Sequence, residues 1–205
     1  MKDEMDILRE VGSICAAHGS IALSQILNKR VSLQLPSIDI LSAEMVLNKI
    51  NTGQVVISVS SRILSGLSGN IVIALSEESA FKLIDVSYED NEHKRSGVLT
   101  EIGISLVKEI GAVIISSYLS ALSMLLKMVI VPSIPTLVSG PLQEIVSMVI
   151  MPYTLEEYVL LIEATFDEPE QHIKGSFYLV VNHDAITSIQ NGCKKLLESL
   201  EDTRE

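Results

Sequence analysis

The chain has 205 residues, and 15 Lys and Arg against 26 Asp and Glu give a formal net charge of −11. Such a balance excludes a nucleic-acid groove, because phosphate binding is dominated by clustered Lys and Arg. Hydrophobic residues make up 47% and charged residues 20%, so apolar side chain suffices to offset ordering entropy and a disordered chain is excluded too.

Trp is absent and aromatic residues reach only 4%, which argues against stacking platforms for single strands and against an aromatic-lined cofactor pocket. Met1-Lys2-Asp3-Glu4-Met5-Asp6 puts acids where a secretory signal has an apolar run, so a cytoplasmic protein is expected. Cys15 and Cys193 lie far apart with no CxxC or Cys/His spacing; they read as packing thiols in a reduced compartment, with no metal site.

In chain order, a long helix is expected over 2–27, with Ile7, Val11, Ile14 and Ile21 as its apolar side. A strand follows, in which Val31, Leu33 and Leu35 alternate up to Pro36. Strands over 38–46, 55–61 and 70–75 and a helix over 77–86 complete the half. The stretch 87–97 contains Glu89-Asp90-Asn91-Glu92-His93-Lys94-Arg95 and reads as a solvated connection.

The second half repeats the order. A helix is expected over 100–126, then a strand ending at Pro135, strands over 145–151, 159–166 and 176–181, and a closing helix over 184–200. The uncharged part of the second long helix, 110–126, carries Ser116, Ser117, Ser120 and Ser123. It falls short of the ~20 residues a bilayer needs, so it reads as a buried core helix with no membrane role. Asn182-His183-Asp184 reads as the cap of the last helix.

The two halves also match residue by residue. A shift of 99 positions takes Ala22-Leu23-Ser24 to Ala121-Leu122-Ser123, Glu10 to Glu109, Gly12 to Gly111 and Pro36 to Pro135. Later, Gly69 to Leu75 pairs best with Gly175 to Val181, a shift of 106. Seven inserted residues are therefore expected in the second half, near the charged stretch Asp167-Glu168-Pro169-Glu170-Gln171. The expectation is one α+β domain of two repeats, about 1–90 and 97–205. Pseudo-twofold duplication would give it a mainly antiparallel central sheet with two long helices packed on it.

Each long helix carries a polar stripe. Asp6, Glu10 and Ser13 stand at i, i+4 and i+7, on one face; Ser105, Glu109 and Ala112 are their equivalents. Gly12 and Gly111 follow the glutamates by two residues. A mid-helix Gly costs about 1 kcal/mol relative to Ala, so something approaches the backbone there, whether the other half's helix or a partner. The carboxylates read either as ordinary exposed helix acids or as docking groups.

The segments Glu10-Val11-Gly12-Ser13-Ile14 with Ala22-Leu23-Ser24, and Glu109-Ile110-Gly111-Ala112-Val113 with Ala121-Leu122-Ser123, resemble the two signature helices of the CheC family of chemotaxis proteins. That family is grouped with CheX and FliY among phosphatases of phosphorylated CheY. Its pattern is Asp or Ser, three residues, Glu, two residues, Asn, twenty-two residues, Pro. Asp6, Glu10 and Pro36 fit the first copy, and Ser105, Glu109 and Pro135 the second. Ser13 and Ala112 stand where the family has Asn.

The resemblance implies docking of a CheY-like response regulator through Asp6, Glu10, Ser13, Ser105, Glu109 and Ala112, with Glu10 and Glu109 each holding a regulator lysine. The family's Asn orients the attacking water, a task suited to an amide that donates and accepts at once. Ala112 can do neither, and the Ser13 hydroxyl is one bond shorter. Three functions are thereby implied: a regulator-binding protein with weak or no phosphatase activity; an active CheY-P phosphatase using Ser13, Glu10 and Glu109; and a scaffold. The scaffold would bind the deamidase CheD, for which 184–200 is a candidate surface, or flagellar switch components, since the fold resembles the FliM middle domain. No cofactor is implied, any Mg sitting on the regulator.

Other chemistries have little support. His18 points to a different side of its helix from Ser13. His93, His172 and His183 are scattered without ligand spacing. No GxGxxG or GxxxxGK[ST] string occurs. Met124, Met128 and the other methionines read as core filling.

Overall fold

The computed structural model describes residues 4–50, 52–87 and 100–201, so all of the polar connection beyond Ser87 lies outside the described residues. The first half runs α1 (Glu4–Leu27), β1 (Ser32–Ser42), α2 (Ala43–Lys49), β2 (Val55–Ser65), β3 (Gly69–Ser76) and α3 (Glu77–Ser87). The second runs α4 (Glu101–Leu126), β4 (Val131–Pro132), β5 (Thr136–Pro141), α5 (Leu142–Ile150), β6 (Tyr158–Glu168), β7 (Ile173–Val181) and α6 (His183–Glu201). The α+β class expected from the sequence is what the chain adopts.

Two expected strands are wrong in part or whole. The stretch 38–46 is strand only to Ser42, whose Oγ accepts the Met45 N–H at 3.3 Å and starts α2. The stretch 145–151 falls almost entirely in α5, where Leu142, Ile145, Val146, Val149 and Ile150 are buried at helical spacing. Nor does Pro36 end its strand. β1 passes through it with a register shift between Gln34 and Ser37, and an edge strand tolerates the missing donor.

All strand pairs are antiparallel, in the order β1-β6-β7-β3-β2-β4, with β5 also on β2. The pairing crosses between halves. β1 lies on β6, with Ser42 opposite Tyr158, while β5 lies on β2, with Pro141 opposite Val55. Each half lends its first strand to the other half's hairpin, and β3 and β7 join at the centre.

The burial pattern fixes where the seven extra residues lie. Val55 to Ile63 and Tyr158 to Phe166 share one pattern, exposed, four buried, half-buried, buried, exposed, buried, at a shift of 103. Four insertions therefore precede β6, and only three lie in the β6–β7 hairpin. The charged hairpin is not simply solvated, because the buried Glu168 carboxylate accepts the N–H groups of Glu170 and Gln171 at 3.2 and 2.7 Å.

One face of the sheet carries α1, α3, α4 and α6 over the larger core; the other carries α2 and α5 over a second cluster. Among the described residues, only α4 is long and apolar enough to cross a membrane. Its apolar side is occupied within the fold, with Val107, Ile110, Ile114, Ile115, Leu119 and Leu122 buried. Met128 does pack against the core, but Met45, Met124, Met148 and Met151 are more than half exposed, so the methionines are not uniformly core filling. Cys15 is buried.

The repeated Ala-Leu-Ser has a structural role. At the end of α1, Asn28 is left-handed (φ 47°) and Val31 donates to Ser24 Oγ at 3.0 Å; at the end of α4, Lys127 is left-handed (φ 51°) and Ser123 Oγ donates to the Met128 carbonyl. The repeated serine thus fastens the chain as it leaves each long helix. Asn accepts this conformation readily, whereas Lys does so at a cost. Lys127→Gly should raise stability by about 0.5–1 kcal/mol in urea unfolding.

Tyr118 is wholly buried, its ring 4.5 Å from that of Phe177, and its hydroxyl has no hydrogen-bond partner among the described residues. Burial pushes the hydroxyl pKa well up, with the Cys15 thiol adding to it. Because an unsatisfied buried polar group costs about 1–3 kcal/mol, Tyr118→Phe is expected to leave thermal stability unchanged or raise it. A loss beyond about 1 kcal/mol would contradict the orphaned hydroxyl.

Candidate functional site

Both polar stripes face outward. Asp6, Glu10 and Ser13 are exposed on α1; Ser105 and Glu109 are exposed on α4, where Ala112 is half-buried. The opposite side of α1 packs inward through Leu8, Val11, Cys15, Ala16, Leu23 and Leu27. Glu10, Ser13 and Asp6 are therefore held by a helix anchored along its back, without side-chain burial of their own. Arg9 contacts Asp6 at 3.4 Å, both exposed, an ion pair of little energetic weight.

The apolar side expected for α1 is corrected here. Val11 is buried, but Ile14 is 38% and Ile21 56% exposed. The core side is built instead from smaller residues, Gly12, Cys15, Ala16 and Gly19 among them, which let α4 approach. A Cβ at Gly19 would lie 3.6 Å from Ile114 Cγ2, and Cys15 lies beside Tyr118. Moving forward along α1 means moving backward along α4, so the two helices are antiparallel and cross near Ala17. Glu10 and Glu109 fall on opposite sides of that crossing, about 20 Å apart along the pair at 1.5 Å per residue. The structure thus gathers each triplet and keeps the two triplets apart.

The glycines beside the glutamates face inward. Gly12 and Gly111 are buried, and a Cβ on Gly111 would lie 2.7 Å from Val59 Cβ and Cγ1 on β2. The close approach at Gly111 is helix on sheet, neither helix on helix nor partner on helix.

Remaining candidates are dispersed. His18 is exposed on α1, His172 is left-handed (φ 57°) in the β6–β7 hairpin, and His183 opens α6; His93 lies outside the described residues. Ala185 donates to Asn182 Oδ1 at 3.0 Å, so the expected cap of α6 is present. Among the described residues no group of three His, Cys, Asp or Glu side chains is placed to hold a metal ion.

No family model matches the chain. In sequence it is similar to the CheY-P phosphatase CheC of Bacillus subtilis (strain 168), 27% identical over 201 residues, which is 92% of each chain. In fold it is similar to Thermotoga maritima FliY, with a TM-score of 0.74 and 22% identity over 96% of this chain and 98% of that one. It is also similar in fold to the FliM middle domain from H. pylori, with a TM-score of 0.64 and 17% identity over 94% and 99% of the two chains. The likeness in sequence thus extends over nearly the whole length of both chains.

Proposed function

We propose, starting from a CheC-type sequence on a FliY-like fold, that this chain serves chemotaxis signalling by docking a phosphorylated CheY-like response regulator, with weak or no phosphatase activity of its own. The observation that carries this reading is the outward presentation of Glu10 and Glu109 on two helices whose opposite sides are locked in the core. A carboxylate meeting a regulator lysine at such a contact fixes orientation and partner choice more than affinity.

Chemistry is the weaker part. Phosphoryl transfer is mostly positioning, with the regulator supplying its own metal and lysine. At the positions where the family pattern has its amide, this chain has the exposed Ser13 and the half-buried Ala112. Ala112 has no group to place water. The Ser13 hydroxyl donates and accepts but ends one bond short of an amide, and a misplacement of about 1 Å costs on the order of 10²-fold. Binding persists where hydrolysis fades.

Two further readings belong to the same fold. An active CheY-P phosphatase would use Ser13 to hold the water. A scaffold reading draws on the likeness to the FliM middle domain and would have the chain bind flagellar switch components or the deamidase CheD. Phosphate release from a purified, phosphorylated CheY-type regulator at substoichiometric amounts of this chain separates the three. Phosphorylation-dependent binding with little or no release is expected. Many turnovers per molecule would make it an active phosphatase, and no regulator binding with retention of switch or CheD partners would make it a scaffold.

A further inference from the structure

The geometry points to the α1 stripe, and not the α4 stripe, as the surface that docks the regulator, through an exposed apolar run that follows Glu10 directly where hydroxyls follow Glu109; this inference rests on the docking reading above. Past Glu10 the outer side of α1 continues with Ile14, Ala17 and Ile21, all exposed. At 3.6 residues per turn these four side chains fall within an arc of about 60°. The same shift of 99 that relates the helices puts Val113, Ser116 and Ser120 at the corresponding places on α4. Val113 is half-buried, while Ser116 and Ser120 are exposed hydroxyls. The α4 stripe has its own exposed apolar side chains, Ile102 and Met124, but they stand seven residues before and fifteen after Glu109, so the two turns that follow the glutamate are apolar on α1 and mainly hydroxylated on α4.

That difference decides binding strength, because affinity comes from apolar area removed from water at the centre of a contact. Acids on the rim supply orientation. Asp6 and Glu10 at the head of the strip, with Arg9 turned onto Asp6, ask for a partner surface with a lysine beside an apolar side chain. A second copy of this chain is a poor occupant, since it carries the same net charge of −11 and brings acids to the same strip. The α1 stripe also holds Ser13, so the hydroxyl and the apolar strip sit on one face.

The test uses the full chain and the CheY-type regulator of the same genome, held in its active form with beryllofluoride, and reads affinity by calorimetry. Ile21→Asp and Ala17→Asp, both at exposed positions, are expected to weaken binding by about tenfold or more. Ser120→Asp and Ser116→Asp, the matched changes on α4, are expected to stay within about twofold. Loss from the α4 changes alone, or equal loss from both pairs, overturns the choice of stripe and leaves docking standing. Absence of any binding by the unaltered chain overturns both the docking reading and this inference. A dimer of this chain in sedimentation velocity that Ile21→Asp dissolves would show the strip occupied by a second copy and overturn the inference as well.

Discussion

Ser13→Asn is expected to raise phosphate release from a phosphorylated CheY-type regulator by on the order of 10²-fold. Ser13 lies about one turn beyond Glu10 on the same exposed side of α1, so an asparagine there projects its amide from a helix already fixed by its buried back. The amide adds one bond of reach and keeps both a donor and an acceptor for the water. Single-turnover release from a regulator labelled with acetyl phosphate measures the effect. Ala112→Asn should give a smaller gain, because its helix presents the more weakly docking stripe. Adding Glu10→Gln to Ser13→Asn should remove most of the gain by loosening the lysine contact that sets the distance. No gain from either asparagine, with binding intact, would sink the proposed geometry.

The largest stability effect is expected at Gly111. Its missing Cβ would sit 2.7 Å from Val59 Cβ and Cγ1 and 2.9 Å from Cγ2. Those atoms belong to a β-branched side chain in the middle of β2, buried to 1%, with no flexible end to swing away. Gly111→Ala gains about 1 kcal/mol in helix propensity, yet forcing a methyl into a filled core costs about 1–3 kcal/mol. Here α4 must lift off the sheet to admit it, which puts the cost at the upper end. Urea unfolding should show a net loss of about 1–2 kcal/mol. Val59→Ala in the same chain should recover part of it, giving a favourable coupling in the double-mutant cycle. A stabilised Gly111→Ala variant would contradict so close an approach of α4 to Val59.

The long helices, the hairpin strands and the closing helices were legible because each is long and strongly periodic. The short helices on the far side of the sheet were not. In α5 the run Ile145, Val146, Val149, Ile150 is β-branched throughout and mimics a buried strand, although its spacing of three and four belongs to a helix. In α2 the capping Ser42, the helix-forming Ala43, Glu44 and Met45 and the terminal Lys49 were the available signal, and an apparent strand continuing from Pro36 obscured it. The exchange of strands between halves leaves no local mark, since Ser37 meets Glu163 across 126 positions.

That Asp6, Glu10 and Ser13 share one helix face, as do Ser105, Glu109 and Ala112, was readable from spacing alone, but the apolar strip that follows Glu10 was not. Hydrophobicity alone puts Ile14 and Ile21 on the buried side. The antiparallel approach of α4 needs small residues there, so Gly12, Cys15, Ala16 and Gly19 take the inner side and the two isoleucines face out. Placing Asp6 and Glu10 on the helical wheel first would have shown Ile14 and Ile21 beside them.

Because β1 is completed by β6 and β5 by β2, the two halves are joined by interstrand hydrogen bonds as well as by the core they share. Two free copies of a single repeat, arranged the same way, would form a symmetric dimer sharing one sheet. Joining them in tandem lets the two copies of each surface change independently while the shared interior stays constrained, which is how one helix can keep a greasy strip that its twin has traded for serines.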